Sequence, residues 1–392
     1  MADVEHCQFY LERKKRYCRM TVKKDKRFCG EHQSNYNELN KIINERIPCP
    51  LDLSHTIYKS KLSKHLKVCN AKVNESIQPI YIVKGINLGK SAISPNEIRL
   101  PEIDQSIINI VLNKIEKSYD KLPEIPEEIL KHEVLEKELS NPIYGTEAKK
   151  HLLQASSLLG HLAQADLIND NTCFIEFGAG RGKLTYWLVQ MIKDRRNTSV
   201  VLIDRSSHRH KRDNKLKNEK FEINVTRVRA DIGDINLNDI PAVSDMPVRV
   251  AFAKHICGAG ADLTFRCMTN LIKNCNGSKV GIVVAFCCHH RCEYSHYVGH
   301  NYLENEGFTK DEFPILFKIA SWATCGIKQY NKTDSKRESI GRKSKTLINW
   351  GRLEYLKSFG FNGRLVYYIT RDTTLENMCI IATFIRKNPD DN

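Results

Sequence analysis

No stretch of this 392-residue sequence approaches the roughly 20 consecutive apolar residues that a membrane span needs. That argues against a helical membrane protein. The opening residues 1–12 are polar and lack the apolar core of a secretory signal, so an intracellular protein is expected, cytoplasmic, nuclear or both. No internal repeat is visible apart from there being two metal-type clusters. Acid is in deficit: 46 Asp and Glu face 61 Lys and Arg, a formal charge of +15. Such a surplus suits a polyanionic partner. With no membrane segment, nucleic acid is the expected one, and no protein partner is implied.

Cysteine, by contrast, is plentiful. Fourteen cysteines in a reducing compartment point to metal ligation or burial rather than disulfides. Cys7, Cys18, Cys29 and His32 form C-x10-C-x10-C-x2-H. Three thiolates and an imidazole make a closed tetrahedral zinc set, a structural rather than catalytic composition. So short a segment cannot bury a core, so the metal supplies its folding energy. Nine Lys or Arg residues lie between Arg13 and Arg27 with one acid, Asp25, and would decorate this module for phosphate contact. A second set, Cys49, His55, His65 and Cys69, reads C-x5-H-x9-H-x3-C. The last two residues stand one helical turn apart. Two structural Zn2+ sites are therefore expected.

From Tyr144 onward, helical and extended patterns alternate, the signature of an α/β domain. A helix is predicted over 147–165. Strands are predicted at 173–177, 200–203, 221–228, 248–253, 280–286, 365–370 and 378–385. Their apolar character on both faces suits a buried, mostly parallel, doubly wound sheet. Residues 289–342 do not fit the alternation and read as an insertion.

After the first strand, Glu176-Phe177-Gly178-Ala179-Gly180-Arg181-Gly182 opens a helix. Its glycines follow G-x-G-x-G and not the G-x-G-x-x-G of dinucleotide sites. This acid-led form is similar to the first motif of class I (Rossmann-like) methyltransferases, whose cofactor is S-adenosyl-L-methionine. Glu176, Gly178, Gly180 and Gly182 are then expected at the cofactor. Asp204, ending the second strand, can accept the ribose hydroxyls, and Asp231, after the third, the adenine amino group.

In such a sheet, chemistry sits beyond the carboxyl ends of the strands. There the fourth strand carries Lys254-His255-Ile256-Cys257-Gly258-Ala259-Gly260-Ala261-Asp262, and the fifth Cys287-Cys288-His289-His290-Arg291-Cys292. With the two fingers, these strings resemble the eukaryotic tRNA 2'-O-methyltransferase family that modifies nucleotide 4 of the acceptor stem. Lys150-His151, Ser321-Trp322-Ala323-Thr324-Cys325-Gly326 and Gly351-Arg352 extend the resemblance almost to the C-terminus. One departure is Tyr294, where the family is expected to have Trp.

The resemblance implies a CCCH-type finger over 1–35, a CHHC-type finger over 46–73, a connecting region over 74–143 and a methyltransferase domain over 144–392. It implies methyl transfer to a ribose 2'-hydroxyl in the acceptor stem of a subset of tRNAs, those for Gly, Pro and His in the family. A ribose hydroxyl is a weak nucleophile until its proton leaves, so a base or a cation must assist. Lys254 is the first candidate, followed by His255 and Asp262. Holding a phosphate or a structural carboxylate is an equal reading of Lys254. The Cys287–Cys292 string reads as a wall of the active site, less readily as a third metal site. The basic residues Arg205, Arg209, His210, Lys211, Arg212, Lys215 and Lys217, placed on a helix, could track an RNA backbone, and a solvated helix face is the other reading. The competing class is an RNA-binding splicing or scaffold protein with an inactive methyltransferase fold, which cofactor binding would distinguish.

Overall fold

A computed structural model of the chain describes residues 6–11, 16–18, 20–22, 26–29, 32, 45–69, 78–89, 98–208, 210–219, 221–273, 279–324 and 332–386. The chain divides into two compact units, Met1–Gln78 and Pro79–Asn392. Six members of the basic run (Arg13, Lys14, Lys15, Arg19, Lys23 and Lys24), with Arg209, Cys325 and Gly326, lie outside the described residues.

The first unit has two small hairpins. β1 (Tyr10–Leu11) pairs antiparallel with β2 (Arg16–Tyr17), and β3 (Arg46–Cys49) with β4 (Asp52–Tyr58), which leads into α1 (Leu62–Val68). Apart from their cysteines, the described residues of this unit contribute no fully buried hydrophobic side chain. That is the condition under which a metal must replace a core.

The second unit starts with α2 (Gln105–Tyr119), α3 (Glu136–Ser140) and α4 (Thr146–Gln164). Then come β5 (Thr172–Phe177), α5 (Lys183–Ile192), β6 (Ser199–Ile203), β7 (Asn224–Val228) and α6 (Pro241–Ser244). β8 (Val248–Cys257), α7 (Ala259–Lys273), β9 (Lys279–Cys287), α8 (His300–Asn305) and α9 (Phe313–Ile319) follow. The unit closes with α10 (Lys332–Ser358), β10 (Asn362–Tyr367) and β11 (Met378–Ile385).

These strands form one seven-stranded sheet in the order β10-β11-β9-β8-β5-β6-β7. Neighbouring pairs from β9 to β7 are parallel, and only β11 runs against the rest, paired antiparallel with both β9 and β10. This is the mostly parallel, doubly wound sheet expected from the alternation. Its two faces bury alternate residues. Cys173, Ile175 and Phe177 of β5 join Ala251 and Ala253 of β8 under α7 and α10, which bring Phe265, Met268, Leu353 and Leu356. Phe174, Val200, Leu202, Val250 and Phe252 face the other way, onto Leu158, Leu159 and Leu162 of α4 and Leu184 and Leu188 of α5. Period-two burial on both faces is why these strands read as continuous apolar runs.

Several expected boundaries shift. The region expected to be a connector belongs to the second unit from Pro79 onward. Val111 and Ile115 of α2 share a core with Leu303, Phe313, Leu316 and Leu347, so the 289–342 insertion and α2 bury each other. The third strand begins at Asn224, not Phe221, and β10 lies three residues earlier than predicted. Among the described residues, the basic segment after β6 contains no α-helix, only a 3-10 turn at Asp213–Asn218. Among the described residues, no helix is long and apolar enough to cross a membrane.

Candidate functional site

In the first finger, the sulfurs of Cys7, Cys18 and Cys29 and a ring nitrogen of His32 all lie within 4.8 Å of one another. His32 Nδ1 is 3.4 Å from both Cys7 Sγ and Cys29 Sγ, and Cys18 Sγ is 4.0 Å from Cys29 Sγ. Phe9 stacks on the His32 ring at 4.0 Å and fixes its plane. In the second, Cys49 ends β3, His55 lies on β4, His65 on α1 and Cys69 just past its end. Cys49 and Cys69 sulfurs are 3.7 Å apart, the two histidine Nε2 atoms 3.1 Å, and His65 Nε2 is 3.2 Å from Cys49 Sγ. A tetrahedral zinc with bonds of about 2.0–2.3 Å demands ligand separations of roughly 3.3–3.8 Å. Both sets fit that ion, and all eight expected ligands are brought together.

The second centre is a cavity of about 500 Å3 in the catalytic body. That is the size class of small-molecule and cofactor sites. Leu152, Ala155, Leu184 and Trp187 supply apolar wall, and Glu176, Gly178, Gly180, Lys183, Lys254 and His255 the polar part. The loop between β5 and α5 turns by means of Gly178, Gly180 and Gly182, at φ of +63°, +52° and +64°. Only glycine adopts these angles freely. At Gly182 space is also lacking, since a Cβ there would lie 2.4 Å from Asp213 Oδ1. Gly182 is the N-cap of α5, whose N-terminal end therefore opens at the loop, with Lys183 first. Arg227 donates to Gly180 O at 2.9 Å and pairs with Asp213 at 2.8 Å, tying β7 to this loop.

Glu176 is buried and accepts from both the backbone N–H and the hydroxyl of Thr185. Burial raises its carboxyl to about 7, against the pull of those bonds. Asp204 accepts from Gly180 N at 2.8 Å and Ser206 N at 2.7 Å, with His208 Nε2 3.3 Å away. It braces the loop without lining the cavity. Asp231 lies outside the lining too; it accepts from Gly233 N at 2.9 Å, capping a 3-10 turn.

At the end of β8 the register with β9 slips between Lys254 and Ile256, and His255 takes φ +62°. This bulge turns both Lys254 and His255 into the cavity lining. Lys254 Nζ donates to His151 O at 3.1 Å and lies 3.2 Å from His151 Nδ1. Burial, then the positive charge of Lys183, lowers Lys254 to about 7, with Glu176 opposing. Burial and Lys254 depress His255 to about 4, and desolvation and Lys254 lower His151. One amine able to exchange a proton near neutrality is thus flanked by two imidazoles that are neutral there.

Asp262, expected beside these two, lies elsewhere. It is wholly buried in a bidentate pair with Arg352, at 3.0 Å to Nε and 2.6 Å to Nη2. The Cys287–Cys292 string is not part of the lining either. Its later members point apart: His289 to Asn349 and Glu376, Cys292 to Arg352. The lining includes residues the sequence reading left unassigned to the site: Tyr144, Arg181, Lys183, Trp187 and Arg212, with His151 noted only within a motif. Arg212 is held over the Tyr186 ring at 4.3 Å. No spacing signal marks residues that reach one cavity from α4, α5 and a loop.

Residues 153–383 match the family described as Methyltransferase TRM13. Residues 5–33 match the CCCH zinc finger in TRM13 protein, and 46–70 the U11-48K-like CHHC zinc finger. The chain is 32% identical to the tRNA:m(4)X modification enzyme TRM13 homolog of Mus musculus, across 96% of this chain and 94% of that protein. It is 33% identical to the tRNA:m(4)X modification enzyme TRM13 of Scheffersomyces stipitis, across 94% and 98%. With the glycine loop, both fingers and the catalytic body all inside these matches, the chain belongs to the TRM13 methyltransferase family.

Proposed function

We propose that this chain transfers a methyl group from S-adenosyl-L-methionine to the ribose 2'-hydroxyl of nucleotide 4 in the acceptor stem of a subset of tRNAs, those for Gly, Pro and His. The observation that carries the reading is Lys254, an amine lowered to about 7 inside the cavity that the glycine loop borders. The donor supplies an activated methyl on a sulfonium, so the protein's work is alignment and removal of one proton. Lys254 Nζ would take the proton of the attacking ribose hydroxyl, and the bound donor would supply the methyl group. Glu176 and the loop backbone would hold the donor, and Asp204 keeps that loop in shape by accepting from Gly180 N–H. The position on tRNA rests on the relatives, which are named for it. The partner surface is supplied by Arg181, Lys183 and Arg212 at the cavity rim, since helical RNA is read through phosphates and 2'-hydroxyls.

Methyl transfer from labelled donor to total tRNA, with nuclease mapping, tests this directly. Label in an alkali-resistant dinucleotide at the fourth position is expected. Label on a base, or at another position, would overturn the assignment.

Two variants separate donor binding from RNA binding. Asp204→Ala should lower donor affinity by at least about tenfold, the worth of hydrogen bonds to a charged group. Cys49→Ala should leave donor affinity intact and weaken tRNA binding, because it dismantles a zinc module and leaves the cavity untouched. Calorimetric titration of the donor and filter binding of tRNA read both. Unchanged donor affinity in Asp204→Ala, or unchanged tRNA affinity once Cys49→Ala has lost its zinc, would remove those roles.

A further inference from the structure

Beyond the two fingers, one more group of metal-type side chains converges among the described residues: Cys257, Cys287 and Cys288, with sulfurs all within 4.8 Å of one another. Cys257 ends β8 and is directly paired with Cys287 at the end of β9. Their sulfurs are 2.8 Å apart. Cys288 follows at φ +48°, a left-handed conformation that a residue with a Cβ adopts at a cost. Glycine or asparagine is the usual occupant of such a position, so a cysteine there argues that its side chain is needed. The close approach of the two segments is built in as well. Gly258 has φ +54°, and a Cβ on it would lie 2.5 Å from Arg291 O, so the turn after β9 sits directly against the end of β8.

Plain burial does not account for this cluster. Cys173, Cys267 and Cys379 are fully buried thiols of the core. Cys257 is exposed and Cys288 half-exposed, where a small hydrophobe gains little. The cluster also lies outside the cavity lining.

We infer that Cys257, Cys287 and Cys288 form a third metal site, three thiolates for a thiophilic closed-shell divalent cation such as Zn2+, with the fourth position open on the exposed Cys257 side. Binding releases the three thiol protons to solvent and forms three sulfur–metal bonds. Sulfurs around such an ion sit about 3.8 Å apart. A small rotation of the Cys257 or Cys287 side chain opens their 2.8 Å separation to that edge. The ion fastens the bulged end of β8, three residues past Lys254, to β9 and its following turn. The site is therefore a clamp on the strand that presents Lys254 to the cavity. Nothing in it depends on which RNA is methylated.

Full-length protein, purified reduced and dialysed against metal-free buffer, is assayed for zinc by native mass spectrometry and elemental analysis. Three ions per chain are expected, one for each cluster. Cys257→Ser and Cys288→Ser should each hold two, and Cys49→Ser, in the second finger, should also hold two while keeping the new site. Cobalt reconstitution should give a thiolate-to-cobalt absorption band that weakens, and does not vanish, in Cys288→Ser. Wild-type protein with two ions, falling to one in Cys49→Ser and unchanged in Cys257→Ser, would overturn the site. So would unreduced wild-type protein holding two ions with a mass lower by two hydrogens, which would make Cys257 and Cys287 a disulfide. The wild-type stoichiometry decides the matter even if a variant fails to fold.

Discussion

Lys254→Met is expected to lower the methyl-transfer rate by about 10²–10⁴-fold while leaving donor affinity within a few-fold of the parent, the range set by loss of a positioned general base. The apolar replacement fills the same space at the end of β8, so the cavity keeps its shape. Single-turnover transfer and donor titration on the same preparation separate the two quantities. Lys254→Arg discriminates between a base and a fixed cation. A guanidinium keeps its proton at any working pH, so it could stabilise an alkoxide and could not accept the hydroxyl proton. Recovery of most of the rate in Lys254→Arg would make Lys254 an electrostatic group.

The pH dependence has a definite sign. The base must be neutral, and Lys254 loses its proton near pH 7. Below that pH the rate should fall tenfold per unit; above it the rate should level off. The charged and titratable groups around it are Lys183, Glu176, His151 and His255, and of these Lys183 is the one that most favours the neutral amine. Lys183→Ala should therefore raise the Lys254 pKa and move the rising limb to higher pH. A limb that stays in place would show that some other group controls the proton.

The second large effect concerns stability. Asp262→Ala should cost about 3–5 kcal/mol, the penalty for leaving a buried charge without its partner. Here the stranded group is Arg352, fully buried between the Phe286 and Tyr297 rings at 5.1 Å and 5.9 Å. Its guanidinium also donates to Asn349 Oδ1 at 3.0 Å and to Cys292 Sγ at 3.1 Å, so the pair joins α7, α10 and the segment after β9. The double change Asp262→Leu with Arg352→Met should cost far less than either single change, because no charge is then left buried. Urea unfolding followed by fluorescence measures both. Per folded molecule, Asp262→Ala should transfer methyl at close to the parental rate. Parental stability with a collapsed rate would return Asp262 to the chemistry.

The sequence by itself determined the two Cys/His clusters, the glycine loop and the layered α/β body, because each is a short-range pattern with one physical solution. Cys29 and His32 must share a turn whatever surrounds them. Gly178, Gly180 and Gly182 are required at positive φ by the turn itself. Strands such as β5 and β6, buried on both faces, must read as continuous apolar runs. Only the tertiary structure decided what the titratable residues of the strand ends do. Lys254, His255 and Asp262 look alike in the sequence, eight positions from first to last. A bulge at His255 turns the first two into the cavity, whereas the helix that follows carries Asp262 into the core to meet Arg352, ninety residues away. The same distance effect hid His151, whose carbonyl and ring reach Lys254 from α4. It also hid the pairing of Cys257 with Cys287 across adjacent strands. Local pattern fixes what a segment becomes; which side chains then meet depends on register, bulges and crossovers, and these are set by the packing of the whole sheet.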